Sequence, residues 1–152
     1  MSEQISSTLE SELVSRFPGW VSQETRTGFS GVIVNAENLL QFARSIRDEL
    51  GFDYLSMVTA VDLFPENYFD VVYLAYRSTG GPGIEFKVQT DRENPSVPSL
   101  YSVFPGAEFQ EREIYDMFGI EFTGHPDLRR ILLWEGFNGY PLRKDWKEVF
   151  YE

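Results

Sequence analysis

The stretch Ile84-Glu-Phe-Lys-Val-Gln-Thr90 alternates apolar and polar side chains along its whole length. Its apolar members are Ile84, Phe86 and Val88, and its polar members are Glu85, Lys87 and Gln89. Because successive side chains of a β-strand point to opposite faces of the sheet, this alternation is typical of a strand with one buried and one solvated face. We therefore expect the polar members to face water and helices to cover the other face.

Two strand-like runs precede this stretch, at residues 54–61 and 69–77. The links at 65–67 and 80–83 are short and rich in turn residues, which predicts an antiparallel meander. The second link, Gly-Gly-Pro-Gly, is glycine-rich like a phosphate-binding loop, but it has no P-loop lysine and connects two strands. We interpret it as a hairpin turn.

Two helix patterns lie in the N-terminal part of the chain. Ser7 and Glu10 form a capping box for a short first helix, which Pro18-Gly19 ends. Residues 31–34 are typical of a strand, and Asn35 is placed to cap a second helix whose apolar residues repeat with helical spacing. A β-α unit is therefore predicted ahead of the meander.

A third helix is predicted over residues 107–118, with an acidic start that suits the helix dipole and Gly119 at its end. These patterns together predict an α+β fold. We expect a two-layer domain over residues 1–118, with helices packed on one face of a mostly antiparallel sheet.

The composition narrows the partners and cofactors that the chain can bind. Its 152 residues carry 13 Lys and Arg against 24 Asp and Glu, and the formal net charge of -11 repels nucleic-acid phosphates and anionic lipids. The chain has no cysteine and one histidine, so the usual ligands of iron-sulfur clusters, haem and zinc are almost absent. We expect no nucleic-acid partner, and any redox metal to lie in another protein.

The N-terminal residues 1–11 are polar and lack the basic and apolar regions of a signal peptide. No stretch approaches the roughly 18 apolar residues of a transmembrane helix. The sequence therefore predicts a soluble, intracellular protein.

Glycine and proline interrupt any regular period after Gly119, so residues 119–152 are predicted to form an irregular, extended C-terminal docking tail. This segment is too apolar for a solvated linker. Its large apolar residues are Phe122, Leu128, Ile131, Leu132, Leu133, Trp134, Phe137, Tyr140, Leu142, Trp146 and Phe150. They require burial on the parent domain or on a partner, and a long irregular segment of this kind favours the partner.

The tail also contains two basic clusters in an otherwise acidic chain, Arg129-Arg130 and Arg143-Lys144. Arginine binds carboxylates through two parallel hydrogen bonds. We expect these cations to bind carboxylates on a partner.

Three acids, Glu111, Glu113 and Asp116, lie on the predicted third helix. Glu113 and Asp116 are three residues apart and so are neighbours on the helix surface, a geometry that acid-base catalysis can use. The alternative is a solvated or salt-bridged helix face that involves Arg112. The alternative is favoured because no nucleophile or metal-ligand set accompanies the acids.

His125 lies between Gly124 and Pro126 and could titrate near neutral pH. Catalytic histidines need an orienting acid, and metal sites need further ligands, which the neighbouring sequence does not offer. A structural histidine that fixes the turn before Pro126 is therefore the favoured interpretation.

Three blocks occur in order near the C-terminus, and they carry a resemblance to a known family. They are Glu111-Arg-Glu-Ile-Tyr-Asp-Met-Phe-Gly-Ile120, Gly124-His-Pro-Asp-Leu-Arg-Arg-Ile131 and Gly139-Tyr-Pro-Leu-Arg-Lys-Asp145. This order and spacing resemble the signature of the 30 kDa subunits of NADH-quinone oxidoreductase, respiratory complex I. The resemblance covers roughly the last sixty residues, and it agrees with the absence of cysteine.

The resemblance implies a peripheral-arm subunit with no catalytic, cofactor-binding or metal-binding residue of its own. Its expected partners are two other subunits of the complex, one that forms the quinone site and one that bears an iron-sulfur cluster. Iron-sulfur clusters, FMN, NADH and quinone would all be held in partner subunits. The complex would pass electrons from NADH to quinone and couple this to proton translocation. The implied location is peripheral, on the cytoplasmic side of the inner (cell) membrane, with membrane association through the complex only.

The resemblance also assigns positions to the partner interface and family signature. They are Glu111, Arg112, Glu113, Asp116, Gly119, His125, Pro126, Arg129, Arg130, Pro141, Arg143, Lys144 and Asp145. Those up to Gly119 are expected to fix the helix and its exit, and the later ones to form the docking tail.

Other functions stay open at this point. Equivalent subunits occur in membrane-bound nickel-iron hydrogenases and in ferredoxin-linked complexes. A stand-alone hydrolase using Glu113 and Asp116 would instead turn over a substrate without partners.

Overall fold

The structure is a computed structural model that describes residues 2–148. Its elements in chain order are α1 (Ser2–Arg16), β1 (Val21–Gln23), β2 (Val32–Val34), a short 3-10 turn (Ala36–Asn38), α2 (Leu39–Asp48), β3 (Tyr54–Leu63), β4 (Tyr68–Tyr76), β5 (Ile84–Asp91), β6 (Ser96–Pro98), α3 (Ala107–Phe118) and β7 (Glu121–Thr123). The predicted tail residue Phe150 lies outside the described residues.

Five strands form one mixed sheet in the order β1-β2-β5-β4-β3. The predicted meander is present, since β4 pairs antiparallel with both β3 and β5, and the glycine-rich link connects β4 to β5 as a hairpin. The parallel pair of this sheet joins β2 to β5, with Val32 opposite Phe86. A second, two-stranded sheet pairs β6 with β7 in parallel.

The helices cover the sheet face that carries Phe86, Tyr73 and Phe69, all fully buried. Phe42 of α2 packs against Phe86 with ring centroids 5.2 Å apart, and Phe118 of α3 packs against Phe69 at 5.9 Å. The predicted two-layer α+β architecture is confirmed, because apolar residues spaced two apart on strands meet helix stripes spaced three or four apart.

The predicted exposure of Lys87 is wrong. Its side chain is 2% exposed, and its Nζ lies 3.1 Å from Glu24 Oε2 in an ion pair. The segment that follows β1 folds over this part of the other sheet face, and the Phe29 ring lies 5.2 Å from Lys87 Nζ. A strand's own alternation cannot report that a distant loop covers its polar side.

Two predicted helix starts also differ from the structure. α1 begins at Ser2, so Ser7 lies inside the helix; no glycine or proline between residues 2 and 16 stops it. Asn35 precedes only the 3-10 turn and donates from Nδ2 to the carbonyl of Gly19 at 2.8 Å, while α2 starts at Leu39.

The chain stays in the core for several residues beyond α3. Gly119 takes the left-handed conformation that ends the helix, with φ of 77°, and its amide N–H bonds to the Tyr115 carbonyl. Ile120 and Phe122 that follow are buried at 0% and 2% exposure. From Gly124 to residue 148 the described chain has no helix or strand, and we call this segment the strap.

Candidate functional site

The strap lies against the C-terminal half of α3, and Asp116 is the centre of that contact. Asp116 is fully buried, and its Oδ2 accepts the backbone N–H groups of Ile131, Leu132 and Leu133 at 3.2, 2.8 and 3.0 Å. Successive backbone N–H groups that converge on one anion form a nest, and hydrogen bonds to a carboxylate are stronger than neutral ones. One helix carboxylate therefore fixes three consecutive strap residues.

Arg112, one turn earlier on α3, holds the preceding strap residues. Its Nε donates to the carbonyl of Arg129 at 3.1 Å, and its Nη2 donates to the carbonyl of Arg130 at 3.2 Å. Arg112 is 7% exposed. The helix thus presents a cation to strap carbonyls and an anion to strap amides, four residues apart on one helix face.

Arginines and aromatic rings alternate along the inner side of the strap. In order they are Phe137, Arg130, Tyr140, Arg143, Phe69, Arg92 and Phe64, with guanidinium-to-ring distances between 5.0 and 5.7 Å, and we call this series the ladder. Each contact brings a cation within reach of a ring quadrupole. The ladder connects the strap to strand β4 and to the loop between β3 and β4.

Arg143 ties the far part of the strap to the end of α3. Its Nε donates to the carbonyl of Phe118 at 2.6 Å, where the helix leaves its last carbonyls without partners inside the helix. The backbone N–H of Leu142 donates to the carbonyl of Met117 at 3.1 Å. Burial, reinforced by the positive charge of Arg92, lowers the pKa of Arg143 from its ordinary value.

A second carboxylate, Asp62 at the end of β3, receives the last part of the strap. Its Oδ2 accepts the backbone N–H of Lys144 at 2.9 Å, and both its oxygens accept hydrogen bonds from Arg92 at 2.8 and 3.0 Å. Arg92 also donates to Asp145 at 2.7 Å. Asp145 and Asp62 raise the pKa of Arg92, and Arg92 lowers the pKa of Asp145.

Glu111 faces the interior of the domain instead of the strap. It is fully buried, and its Oε1 accepts hydrogen bonds from the Ser99 hydroxyl at 2.8 Å and the Leu100 N–H at 3.1 Å. Burial raises the pKa of Glu111 to about 7, against these two hydrogen bonds. Nearby, burial together with the Glu111 charge raises the pKa of the Tyr73 hydroxyl.

His125 fixes the start of the strap, as the turn interpretation expects. Its Nδ1 accepts the backbone N–H of Asp127 at 3.0 Å, which leaves Nε2 as the donor to the carbonyl of Glu108 at 3.0 Å. Both ring nitrogens are therefore used within the chain, in one neutral tautomer.

The acid pair that suggested hydrolysis does not form a site with accessible acids. Glu113 is exposed on α3, whereas Asp116 is fully buried and gives one carboxylate oxygen to three backbone amides. A buried carboxylate engaged in this way cannot exchange protons with a substrate at the surface.

The outward side of the strap is apolar. Ile131, Leu132, Trp134 and Leu142 are 37%, 60%, 59% and 54% exposed, and we call these four the docking residues. Ile131 and Leu132 are anchored at Asp116 and Leu142 at Met117, the next residue of α3. The anchoring therefore brings these docking residues to one end of one helix.

The predicted interface residues divide into two groups. The inner ones hold the strap: Arg112, Asp116, Gly119, His125, Arg130 and Arg143. Exposed ones are Glu113, Pro126, Arg129, Lys144 and Asp145, with the Arg129 side chain 71% exposed. Pro141 is half-buried, and Glu111 belongs to the domain core.

Sequence reasoning missed Asp62 and Arg92. Both are buried polar residues 30 positions apart, and each contacts the strap. No local pattern marks either of them. The pairing is visible only when the chain is folded, because it depends on where the strap crosses the end of β3.

Among residues 2–148, no group of three or more His, Cys, Asp or Glu side chains could hold a metal ion. Within the same range, no helix has the length and apolar character needed to cross a membrane.

Comparison with known proteins agrees with the sequence resemblance. The family model described as respiratory-chain NADH dehydrogenase, 30 Kd subunit, matches residues 32–151. In Moorella thermoacetica, the NADH-quinone oxidoreductase subunit that is named C is 40% identical over 138 residues, covering 90% of this chain and 91% of that protein. The subunit of the same name from Roseiflexus sp. is 49% identical over 121 residues, covering 78% and 70%.

Two solved structures have a similar fold. A chain of the membrane-bound sulfane sulfur reductase, an archaeal respiratory membrane complex, superposes with a TM-score of 0.73 at 23% identity, covering 94% of this chain and 86% of that chain. The trypsin-resistant fragment (1-134) of Nqo5 gives 0.56 at 28% identity, covering 84% of this chain and the whole fragment.

Proposed function

The chain belongs to the family of 30 kDa subunits of respiratory-chain NADH dehydrogenase, and we propose that it serves as a scaffold in the peripheral arm of an NADH-quinone oxidoreductase. In this role it contributes surface for assembly and no cofactor. Electrons pass from NADH through FMN and iron-sulfur clusters to quinone in partner subunits, and the complex couples that transfer to proton translocation.

The observation that carries this proposal is the exposure of the docking residues on a strap that is otherwise anchored to the domain. Leu132, Trp134 and Leu142 are each more than half exposed. Such large side chains stay exposed at a cost of about 1.5–3 kcal/mol each relative to burial. An aromatic residue among aliphatic neighbours is also the composition of interface centres.

Exposed charges near the strap define the rim of the same surface. The Arg129 side chain is 71% exposed although it pairs with Asp127, and Lys144 is exposed. Rim cations guide association with an acidic surface and contribute little to affinity. We assign partner contacts to these two cations, while Arg130 and Arg143 act within the chain.

The partners that fit this role are the two subunits that form the quinone site and bear the neighbouring iron-sulfur cluster. The strap offers an apolar surface with a cationic rim, which requires a partner with an apolar groove and carboxylates beside it. In this proposal the chain lies on the cytoplasmic side of the membrane, attached through the complex alone.

The test is affinity purification of the tagged chain from mildly detergent-solubilised membranes of its own organism. Partners are identified by mass spectrometry, and the eluate is assayed for NADH-quinone activity. A Trp134→Ser variant should lower the recovery of partner subunits, because it removes the largest exposed apolar side chain of the strap. Glu113→Gln serves as the matched control, since Glu113 is exposed but lies on α3.

Recovery with NADH-quinone oxidoreductase subunits and with activity supports the proposal. Recovery with hydrogenase or ferredoxin-linked subunits keeps the scaffold role and replaces the electron donor. Recovery of the chain alone, for both the unchanged chain and the control, overturns the scaffold role.

A further inference from the structure

We infer that Asp116 is the positioning residue of the docking surface, and that it holds the strap folded on the domain before any partner binds. The inference rests on the proposed function only for the use of the surface. That the strap is ordered in the free chain follows from contacts within the chain itself.

The first step is the geometry of the nest at residues 131–133. Three consecutive N–H groups converge on one oxygen, Asp116 Oδ2, at 2.8 to 3.2 Å. Consecutive amides can share one acceptor only when the backbone turns around it, so the carboxylate fixes the local backbone conformation. That conformation leaves Ile131 and Leu132 exposed at 37% and 60%.

The second step is that anchors of the strap are distributed along its length. His125 contacts Glu108, Arg112 holds the carbonyls before the nest, Arg143 bonds the end of α3, and the amide of Lys144 bonds Asp62. An irregular segment tied at several points loses its conformational entropy when the domain folds. Little of that entropy then remains to be lost when a partner binds.

The third step concerns charge. Arg130, a strap cation that was expected to bind a partner carboxylate, is engaged inside the chain: it lies 3.6 Å from Asp116 Oδ1 and donates to the carbonyl of Gly139 at 2.9 Å. Both groups of the ion pair are shielded, Arg130 at 20% and Asp116 at 0% side-chain exposure. Asp116 therefore also neutralises a cation of the ladder, a function that needs no partner.

The experiment is hydrogen exchange of the isolated full chain, followed by mass spectrometry of peptides from the strap and the sheet. In the unchanged chain, amides of residues 131–133 should exchange at least about tenfold more slowly than in an unfolded peptide of the same sequence. Asp116→Ala should remove that protection while sheet peptides from residues 68–91 stay protected. Asp116→Asn, which keeps one acceptor oxygen without the charge, should give intermediate protection.

Two controls separate positioning from general damage. Glu113→Ala removes an exposed carboxylate of the same helix and should leave strap exchange unchanged. Leu132→Pro removes the shortest N–H bond of the nest from the strap side, and it should reproduce the effect of Asp116→Ala. Leu132→Ala keeps the N–H and should keep the protection, while it lowers the recovery of partners in the purification described above.

The outcomes distinguish the two proposals. Strap amides that exchange at the unfolded rate in the unchanged chain overturn the positioning role, even if partners are still recovered. Protected strap amides that are insensitive to Asp116→Ala also overturn it. Protected, Asp116-dependent amides in a chain that recovers no partners support the positioning role and contradict the proposed function.

Discussion

A Cβ atom built on Gly119 would lie 2.7 Å from the ring of Tyr140, so the exit of α3 and the strap fit together without room for a methyl group. The same ring lies 5.0 Å from the guanidinium of Arg130 and 5.2 Å from that of Arg143. The position of Tyr140 within the ladder therefore depends on the absence of a side chain at residue 119.

Gly119→Ala should destabilise the chain by roughly 2 kcal/mol or more. The left-handed φ of 77° costs a non-glycine residue about 1–2 kcal/mol, and displacement of the Tyr140 ring adds to that. The free energy of unfolding is measured by urea denaturation of the purified chain. Gly136→Ala is the matched control, because Gly136 has φ of 89° but nothing within 4 Å of its added Cβ. Equal losses for both variants would mean that the Tyr140 contact contributes nothing.

Glu111→Gln should flatten the dependence of stability on pH. Because the pKa of Glu111 is raised to about 7 in the folded chain, the folded state binds a proton more tightly than the unfolded state. Its contribution is fully present below pH 4.5 and is lost as the pH rises to about 7, which amounts to roughly 1–3 kcal/mol. Gln cannot ionise, so this loss should be absent from unfolding curves recorded between pH 5 and 8. Glu113→Gln should keep the slope of the unchanged chain, and a Glu111→Gln slope equal to it would contradict the assignment.

Glu24→Gln should destabilise the chain at neutral pH by roughly 1–3 kcal/mol, because Lys87 is left buried beside a neutral partner. The pKa of Glu24 is lowered to about 2, first by the hydrogen bond from Arg26. The ionised form therefore stabilises the fold above pH 4.5, and this stabilisation is lost as the pH falls toward 2. The difference between the two chains should shrink over that acid range in chemical denaturation. Glu37→Gln, outside this ion-pair cluster, should show no comparable difference at either pH.

The elements that sequence predicted well are those with local signals. The third helix was predicted at residues 107–118 and α3 spans Ala107–Phe118, because an amphipathic stripe lies within the helix and a glycine directly follows it. The sheet meander follows in the same way from strands separated by short turns. Each of these features needs only neighbouring residues to be specified.

The contacts of the strap lack such signals. Asp62 accepts the amide of Lys144 across 82 residues of sequence, and a backbone amide carries no residue identity that a pattern could reveal. Lys87 is buried by the segment that follows β1, at one edge of the sheet, beyond the reach of its own strand's alternation. What sequence could indicate was that the C-terminal residues needed burial; which of them would face inward depended on long-range hydrogen bonds.

Arg143→Ala should loosen the end of the strap while the sheet stays folded. The variant loses the hydrogen bond to the Phe118 carbonyl and the contacts with the Phe69 and Tyr140 rings. The position of Leu142 then depends on its amide bond to Met117, so assembly into the complex should weaken by about tenfold or less, in keeping with the roughly 0.5–1.5 kcal/mol of one hydrogen bond.

The matched control for this change is Lys144→Ala, since this neighbouring cation is exposed and its backbone, which bonds Asp62, is kept. Assembly is measured by partner recovery at several salt concentrations, and strap order by hydrogen exchange of the isolated chain. If both cations bind the partner, the two variants should weaken assembly equally and in a salt-dependent manner, because exposed ion pairs are screened by salt. If Arg143 acts within the chain, only its variant should increase the exchange of strap amides in the isolated protein.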